Sequence, residues 1–217
     1  MSYFDDYRMT SPFGWRNSPI TGKKEFHTGV DLVKSHKAPI YAFVEGEVVH
    51  AKMGATGSGF GGYGIVVAIK DKHGCLHVYA HLDSTAVKVG QKVAKGQVIG
   101  RQGNTGKSTG SHLHYEIRKT SKPQYGWIAD RENNCYEPLT YLREYFAKEF
   151  EKSMMDKFKD VPKNHWAASS ILKADESGVL VGISESEFGL GQAVTREQLA
   201  VVLDRLGLLD QRGNQID

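Results

Sequence analysis

His112, His114 and Glu116 are the residues whose types and spacing most directly imply chemistry in this chain. They alternate with Leu113, Tyr115 and Ile117. Side chains at i and i+2 of a strand share a face, so the spacing aims two imidazoles and a carboxylate together from a segment whose back is apolar. Such a face can hold a metal ion, or can set one metal ligand beside one catalytic base. Two further signals stand upstream: His27 and Asp31 are four residues apart, and His81 ends the run Tyr79-Ala80-His81. His27, Asp31 and one histidine of the 112/114 pair make a three-ligand set of the kind zinc hydrolases use, with a fourth position left for water. The other histidine of the pair, with His81, then lies beside that open position. Two neutral imidazoles and one carboxylate leave such an ion net positive, which polarises a carbonyl and lowers the pKa of water toward ~7. A neighbouring imidazole can then accept the water's proton or donate to the developing oxyanion.

The elements that must position these residues read mostly as short strands. Proline and glycine through Ser11–Arg16 and Pro19–Gly22 mark turns rather than a helix. The His27/Asp31 spacing suits one face of a helix or of a strand, and Gly29 with its β-branched neighbours favours an extended or looped segment. Ile40–Phe43, Glu47–His50, Ile65–Ile69 and Leu76–His81 have the pattern of strands, with Asp71–Gly74 as a hairpin turn. Val87–Gly100 adds two short strands, so the front of the chain is expected to form an antiparallel β sheet or sandwich. The glycine-rich stretches Met53–Gly64 and Gly103–Gly110 either clasp a ligand backbone or are simply loops. Leu139–Phe150 has helical spacing, and 148–157 reads as a charged linker continuing that helix. His165–Ala174 is expected to be an amphipathic helix, and Thr195 is a suitable N-cap for a second helix over 196–206. The expected organisation is a mainly β domain over 1–147, a linker over 148–157 and a small α-helical C-terminal domain over 158–217.

The 217 residues suffice for one medium and one small domain, and 40% hydrophobic with 24% charged residues is ordinary for a globular protein. No apolar run approaches the ~20 residues of a membrane span, and the first residues lack a basic region followed by an apolar one, so neither a span nor a signal peptide is expected. Cys75 and Cys135 lack metal-binding spacing and are expected to be free thiols. Residues 1–150 carry 20 Lys/Arg against 14 Asp/Glu, whereas residues 151–217 carry 8 against 11. A basic front half suits a polyanionic surface such as an acidic cell wall. Basic clusters interleaved with aromatics are lacking, so nucleic acid is not an expected partner. Gly106-Lys107-Ser108 imitates the end of a phosphate-binding loop, but Arg101 stands where that motif needs glycine and a strand-like segment follows. His36, His50, His73, His77 and His165 are expected at the surface or at strand edges, with His77 the least secure because regular alternation puts it on the face of His81.

Taken together, Ser11–Arg16, His27-Thr-Gly-Val-Asp31-Leu32, Gly61-Gly-Tyr-Gly64, Tyr79-Ala-His81-Leu82 and Gly103–His114 resemble the lysostaphin-type zinc endopeptidases that cut peptidoglycan peptides. The resemblance spans about residues 11–117. It implies that His27, Asp31 and His114 bind one Zn2+ and that His81 and His112 are the catalytic imidazoles. It also implies a narrow groove floored by the metal, with the two glycine-rich loops as walls for an extended peptide.

A second resemblance covers about residues 158–206. Phe158–Pro162, His165-Trp166-Ala167, Gly178, Gly182 and Thr195-Arg196-Glu197-Gln198 look like one S-layer homology module. Such modules bind secondary cell-wall polysaccharide, which makes Asp160, Trp166 and Arg196 the ligand candidates. Arginine suits an anionic sugar substituent and tryptophan suits stacking on a sugar ring. That family usually uses three modules together; with one here, the chain either forms a homo-oligomer or binds the wall weakly. The alternative is a purely structural cap. The expected function is a zinc endopeptidase of the Gram-positive wall, most simply a phage endolysin held in the host cytoplasm before lysis. A bacterial autolysin or wall-remodelling hydrolase is the alternative, and a non-catalytic wall-binding module or regulator is a further one.

Overall fold

The computed structural model describes residue 4, residues 6–162 and residues 164–209. The chain divides into two compact units, Met1–Leu142 and Arg143–Asp217. Among the described residues, the first contains thirteen strands: β1 (Arg8–Ser11), β2 (Gly14–Asn17), β3 (Lys24–His27), β4 (Gly29–Val33), β5 (Pro39–Tyr41), β6 (Gly46–Met53), β7 (Ile65–Lys70), β8 (Leu76–Leu82), β9 (Ser84–Thr85), β10 (Lys92–Val93), β11 (Val98–Arg101), β12 (Leu113–Arg118) and β13 (Cys135–Tyr136). Helices α1 (Arg131–Asn134), α2 (Pro138–Lys157), α3 (Ala168–Glu176) and α4 (Arg196–Arg205) complete the described elements, besides a single 3-10 turn.

The main sheet runs β1-β4-β12-β8-β7-β6-β10, with β13 pairing the end of β12. Its pairings are all antiparallel, so the front unit is the mainly β, antiparallel structure that short strands and turn glycines imply. β5, β11 and β9 form a second small sheet, and β2 with β3 forms a separate hairpin. β8 and β12 are buried along their whole length. On the back of these strands lie Tyr79 and Tyr115, against Phe43. On the front, Val66, Ala68, Leu76, Val78 and Ala80 pack with Phe60 of the Met53–Gly64 loop.

Gly29 allows β4 to lie against β12. A Cβ there would stand 2.2 Å from the Tyr115 carbonyl oxygen, inside any van der Waals contact. With the strands at this distance, the register sets Asp31 opposite His114 and Gly29 opposite Glu116. Directly opposed residues are the closest side-chain neighbours a sheet offers.

Two expectations about histidines are corrected. His77 is fully buried rather than exposed, with Nδ1 2.7 Å from the Tyr115 hydroxyl and Nε2 3.2 Å from Asp71 Oδ2. Asp71 itself accepts from the amides of His73 and Cys75 and from the Tyr141 hydroxyl. The Asp71–Gly74 turn thus supplies the partners that let an imidazole sit in the core. His50 is also buried, against Phe60, with Nε2 3.0 Å from the Lys52 carbonyl. Cys75 and Cys135 are free, as expected, and both are buried.

The second unit has its own small core of Phe158, Val161, Ile171 and Leu172, flanked by Phe188 and Leu190. The segment 148–157, expected as a linker, is the second half of α2. Thr195 caps α4 as expected; its hydroxyl accepts from the Gln198 amide while the Gln198 side chain accepts from the Thr195 amide. Residues 210–217, placed in the C-terminal module on sequence, lie outside the described residues. Among the described residues no helix is long and apolar enough to cross a membrane.

Candidate active site

Three strands bring three side chains to one point. His27 closes β3, Asp31 lies in β4 and His114 in β12. His27 Nε2 stands 3.2 Å from Asp31 Oδ1 and 3.0 Å from His114 Nδ1, and His114 Nδ1 stands 3.1 Å from Asp31 Oδ1. All three residues are buried. Among the described residues this is the group of His, Cys, Asp and Glu side chains that could hold a metal ion.

The donor chemistry fits one zinc ion. Two imidazole nitrogens and one carboxylate oxygen converge on a single point, and the far side of each ligand is already engaged. His27 Nδ1 donates to the Pro12 carbonyl at 2.7 Å, which leaves Nε2 as the free lone pair. Arg16 Nη1 donates to Asp31 Oδ2 at 3.0 Å, which leaves Oδ1 for the metal side. His114 Nε2 lies 3.1 Å from Glu116 Oε2. The charges agree with this arrangement. Burial alone would raise the Asp31 pKa, but hydrogen bonds from His114 and His27 outweigh it and hold the carboxyl well below the ordinary range. Burial disfavours a charged His114, yet its hydrogen bonds to Asp31 and Glu116 push its pKa up to about 9.

His81 and His112 stand beside this group. Their rings are 4.8 Å apart, and His112 Nε2 is 3.5 Å from Asp31 Oδ1. Each ring fixes its Nδ1 on a carbonyl, Thr105 at 2.8 Å for His81 and Gly110 at 2.8 Å for His112. Nδ1 is the donor in both bonds, so Nε2 of each neutral ring carries the lone pair. Burial, then the nearby His114, holds the His81 pKa down to about 4, so that ring is neutral at pH 7.

The route by which His81 arrives differs from regular alternation. Tyr79 pairs with Tyr115, and His77 bonds the same Tyr115, so odd positions of β8 face the back. His81 has φ 59°, a left-handed conformation uncommon for a residue with a Cβ, and its ring packs with His112 and His114 instead. The turn is stitched by Thr105, whose hydroxyl donates to the Leu82 carbonyl and accepts from the Ile65 amide. Gly106, with φ 77°, lies so close to Gly64 that a Cβ would stand 2.3 Å from its nitrogen.

A groove opens over these residues, and its lining includes Gly61, Gly62 and Tyr63 from one loop and Lys107, Ser108 and Thr109 from another, joined where the Lys107 amide donates to the Gly62 carbonyl at 2.7 Å. Both glycine-rich loops thus line it. Sequence reasoning missed the third wall, the β2–β3 hairpin with Arg16, Pro19, Ile20 and Phe26, and it missed Arg131. The signal for the hairpin was present in the Ser11–Arg16 motif, whose Arg16 also bonds Glu25 at 3.1 Å.

The C-terminal candidates are placed separately. Trp166 is 89% exposed, and Arg196 is exposed at the start of α4. The Asp160 carboxylate accepts from the backbone amides of Phe188, Gly189 and Leu190, so it organises that loop from within.

Comparison with known proteins agrees with this division. Residues 25–125 match the model of peptidase family M23, and residues 157–200 match that of the S-layer homology domain. The chain is 39% identical over 116 residues to the DD-carboxypeptidase/endopeptidase Mpg of Neisseria meningitidis, covering 54% of this chain and 25% of that protein. It is 32% identical over 152 residues to the peptidoglycan DD-endopeptidase ShyA of Vibrio cholerae, covering 69% and 34% respectively. The chain thus spans a quarter to a third of the length of these relatives. Among solved structures, the catalytic domain of lysostaphin from Staphylococcus simulans superposes with a TM-score of 0.53 at 28% identity, covering 65% of this chain and 96% of that domain. The His27–Asp31–His114 cluster thus lies within the part of the chain that matches peptidase family M23, ahead of the part that matches the S-layer homology domain.

Proposed function

We propose that the protein is a zinc-dependent endopeptidase that hydrolyses peptide bonds in bacterial peptidoglycan. The observation that carries this reading is the convergence of His27 Nε2, Asp31 Oδ1 and His114 Nδ1 within 3.0–3.2 Å of one another, with His81 and His112 alongside. In it, His27, Asp31 and His114 hold the metal, and His81 and His112 are the catalytic residues. The bound zinc supplies Lewis acidity and a nucleophile available near neutral pH. The chain's own residues supply the rest. His112 Nε2 lies 3.5 Å from Asp31 Oδ1 and the His81 ring packs on His112, so one imidazole is placed to accept the proton of the attacking water. The other, once protonated, donates to the oxyanion or to the leaving amine. The walls at Gly61–Tyr63 and Lys107–Thr109 hold the peptide extended across them.

Digestion of purified sacculi, followed by mass spectrometry of the released muropeptides, tests the reaction and names the scissile bond. Intact sacculi after incubation with the zinc-loaded protein would end the proposal. The division of roles gives a sharper expectation. His81→Ala and His112→Ala should each retain about one zinc per chain and lower kcat by about 10²- to 10⁴-fold. Zinc loss from either variant, measured by elemental analysis, would move that histidine into the ligand set.

The second unit is read as a small helical module, residues 158–217, that binds secondary cell-wall polysaccharide. The match to the S-layer homology model and the exposure of Trp166 support this. Trp166→Ala in the full chain is expected to weaken retention on Gram-positive walls several-fold without changing hydrolysis of a soluble peptide. Equal retention in a wall pull-down would argue for a structural cap. α4 buries none of its residues and leaves Leu199 and Val201 exposed, which supports association with further copies of the chain; a monomeric mass by light scattering would exclude it.

A phage endolysin that waits in the host cytoplasm is the biological role proposed, supported by the pairing of a peptidase domain with a wall-directed module. Expression in a Gram-positive cytoplasm is then expected to lyse cells only when the membrane is permeabilised. Lysis without permeabilisation would favour an exported autolysin.

A further inference from the structure

We propose that Glu116 is a positioning residue of the metal site. Its carboxylate holds His114 in the tautomer and orientation that present Nδ1 to the metal. The inference rests on the zinc reading above.

Glu116 is fully buried, two residues beyond His114 on the same face of β12. Oε2 lies 3.1 Å from His114 Nε2, accepts from the Tyr63 hydroxyl at 2.9 Å, accepts from the Thr28 hydroxyl, and receives Arg131 Nη2 at 3.2 Å. Oε1 accepts from Arg118 Nε at 2.5 Å and from Arg131 Nη2 at 3.3 Å. An ionised carboxylate only accepts. The imidazole nitrogen facing it must therefore carry the proton. A neutral imidazole has one N–H, so a proton on Nε2 leaves the lone pair on Nδ1. Nδ1 is the atom 3.0 Å from His27 Nε2 and 3.1 Å from Asp31 Oδ1.

The carboxylate is itself held in place. Arg118, also fully buried, donates its remaining nitrogens to the carbonyls of Tyr125 and Gly59 at 3.0 Å each. Arg131 comes from α1, beyond the residues that match the peptidase model, and lies with its guanidinium carbon 3.7 Å from the Trp127 ring centre. It also donates to the Tyr63 hydroxyl at 2.8 Å. Two arginines from different elements thus fix a carboxylate that fixes a ligand.

This arrangement separates Glu from Gln. An amide at position 116 offers one acceptor and one NH₂ group. The Arg118 guanidinium, which contacts Oε1 alone and at the shortest distance, cannot accept, so the NH₂ turns toward Thr28, Tyr63 and His114. His114 Nε2 then becomes the acceptor and the ring proton moves to Nδ1, onto the atom that should bind the metal. The same volume in the wrong donor pattern weakens the site.

The test is the zinc affinity of Glu116→Gln, measured by competition with a chromophoric chelator, beside the melting temperature of the metal-free protein and ¹⁵N spectra of the histidine rings. Affinity about 10- to 100-fold weaker than wild type, with altered His114 ring signals, is the expected result. Wild-type affinity in Glu116→Gln, whatever its melting temperature, overturns the proposal. Should that variant fail to fold, Arg131→Met decides: zinc binding a few-fold weaker supports the proposal, and unchanged zinc binding overturns it. Failure of the wild-type protein to bind zinc would instead overturn the metal reading itself.

Discussion

Replacement of His114 by alanine is expected to abolish measurable peptidoglycan hydrolysis while leaving the β sheet folded. On the proposed reading, His114 links the metal position to Glu116 in the interior of the sheet, through Nδ1 on one side and Nε2 on the other. Alanine leaves two ligands, His27 and Asp31, and a catalytic zinc site needs three. With the metal lost, the water that attacks the peptide returns toward the pKa of free water, and the carbonyl loses its electrophile. A loss of roughly 5 kcal/mol or more of transition-state stabilisation, on the order of 10⁴-fold in rate, follows. Glu116 keeps Arg118, Arg131, Tyr63 and Thr28 as partners, so no buried charge is orphaned. Circular dichroism should therefore match the wild type, while zinc content by elemental analysis falls to background and chelated wild-type protein behaves the same way. Retained zinc and retained hydrolysis in this variant would overturn the ligand assignment.

The largest expected effect on stability lies four residues further along β12, at Arg118. Arg118→Met should destabilise the fold by about 3–5 kcal/mol, because removing one partner of a buried ion pair leaves the other partly uncompensated. Arg118 is fully buried, and its guanidinium satisfies Glu116 and two loop carbonyls that methionine cannot reach. Arg131 still contacts Glu116, which keeps the loss from being larger. The effect has a pH signature. Burial would raise the Glu116 pKa, but the charge of Arg118, then the His114 hydrogen bond and Arg131, hold it well below the ordinary glutamate range. A carboxyl whose folded pKa is depressed contributes stability that is fully present above its unfolded pKa and is lost as pH falls through the folded value. In Arg118→Met the folded pKa moves back up, so less of this contribution remains to be lost. The gap between wild type and variant should be widest near pH 7 and should narrow in acid. Urea unfolding at several pH values measures it; a difference under about 1 kcal/mol, or one that does not vary with pH, would show that the pair carries little of the stability.

Much of this site was legible because strands have period two. The alternation through His112, Leu113, His114, Tyr115 and Glu116 specified one polar and one apolar face, and the protein folds that way. His81 was legible as a residue but not by that rule. Alternation placed it with His77, whereas a left-handed backbone at His81 sends the two rings to opposite faces. Nothing in a run of seven mostly apolar residues signals such a turn; it is imposed by Thr105 and the loop that packs on it. The burial of His77 depended in the same way on Asp71, whose carboxylate is brought into the core by the hairpin. Asp160, a ligand candidate through the resemblance to the S-layer homology module, has a carboxylate that accepts from three backbone amides some thirty residues on, a contact that only the tertiary structure reveals.

The sequence by itself determined the donor types, the face that carries His112, His114 and Glu116, and the antiparallel β character of the front unit. These follow from local rules of side-chain chemistry and strand geometry. Tertiary structure decided which nitrogen of each histidine is free. Pro12, Thr105, Gly110 and Glu116 occupy the other nitrogen in each case, and none of these partners adjoins its histidine in the chain. It also decided that Asp31 stands across from His114, through a strand register whose close approach Gly29 permits. A metal site requires lone pairs placed to within about half an ångström, and that placement comes from contacts between residues as far apart in sequence as Thr28 and Glu116, 88 positions, which no local pattern records.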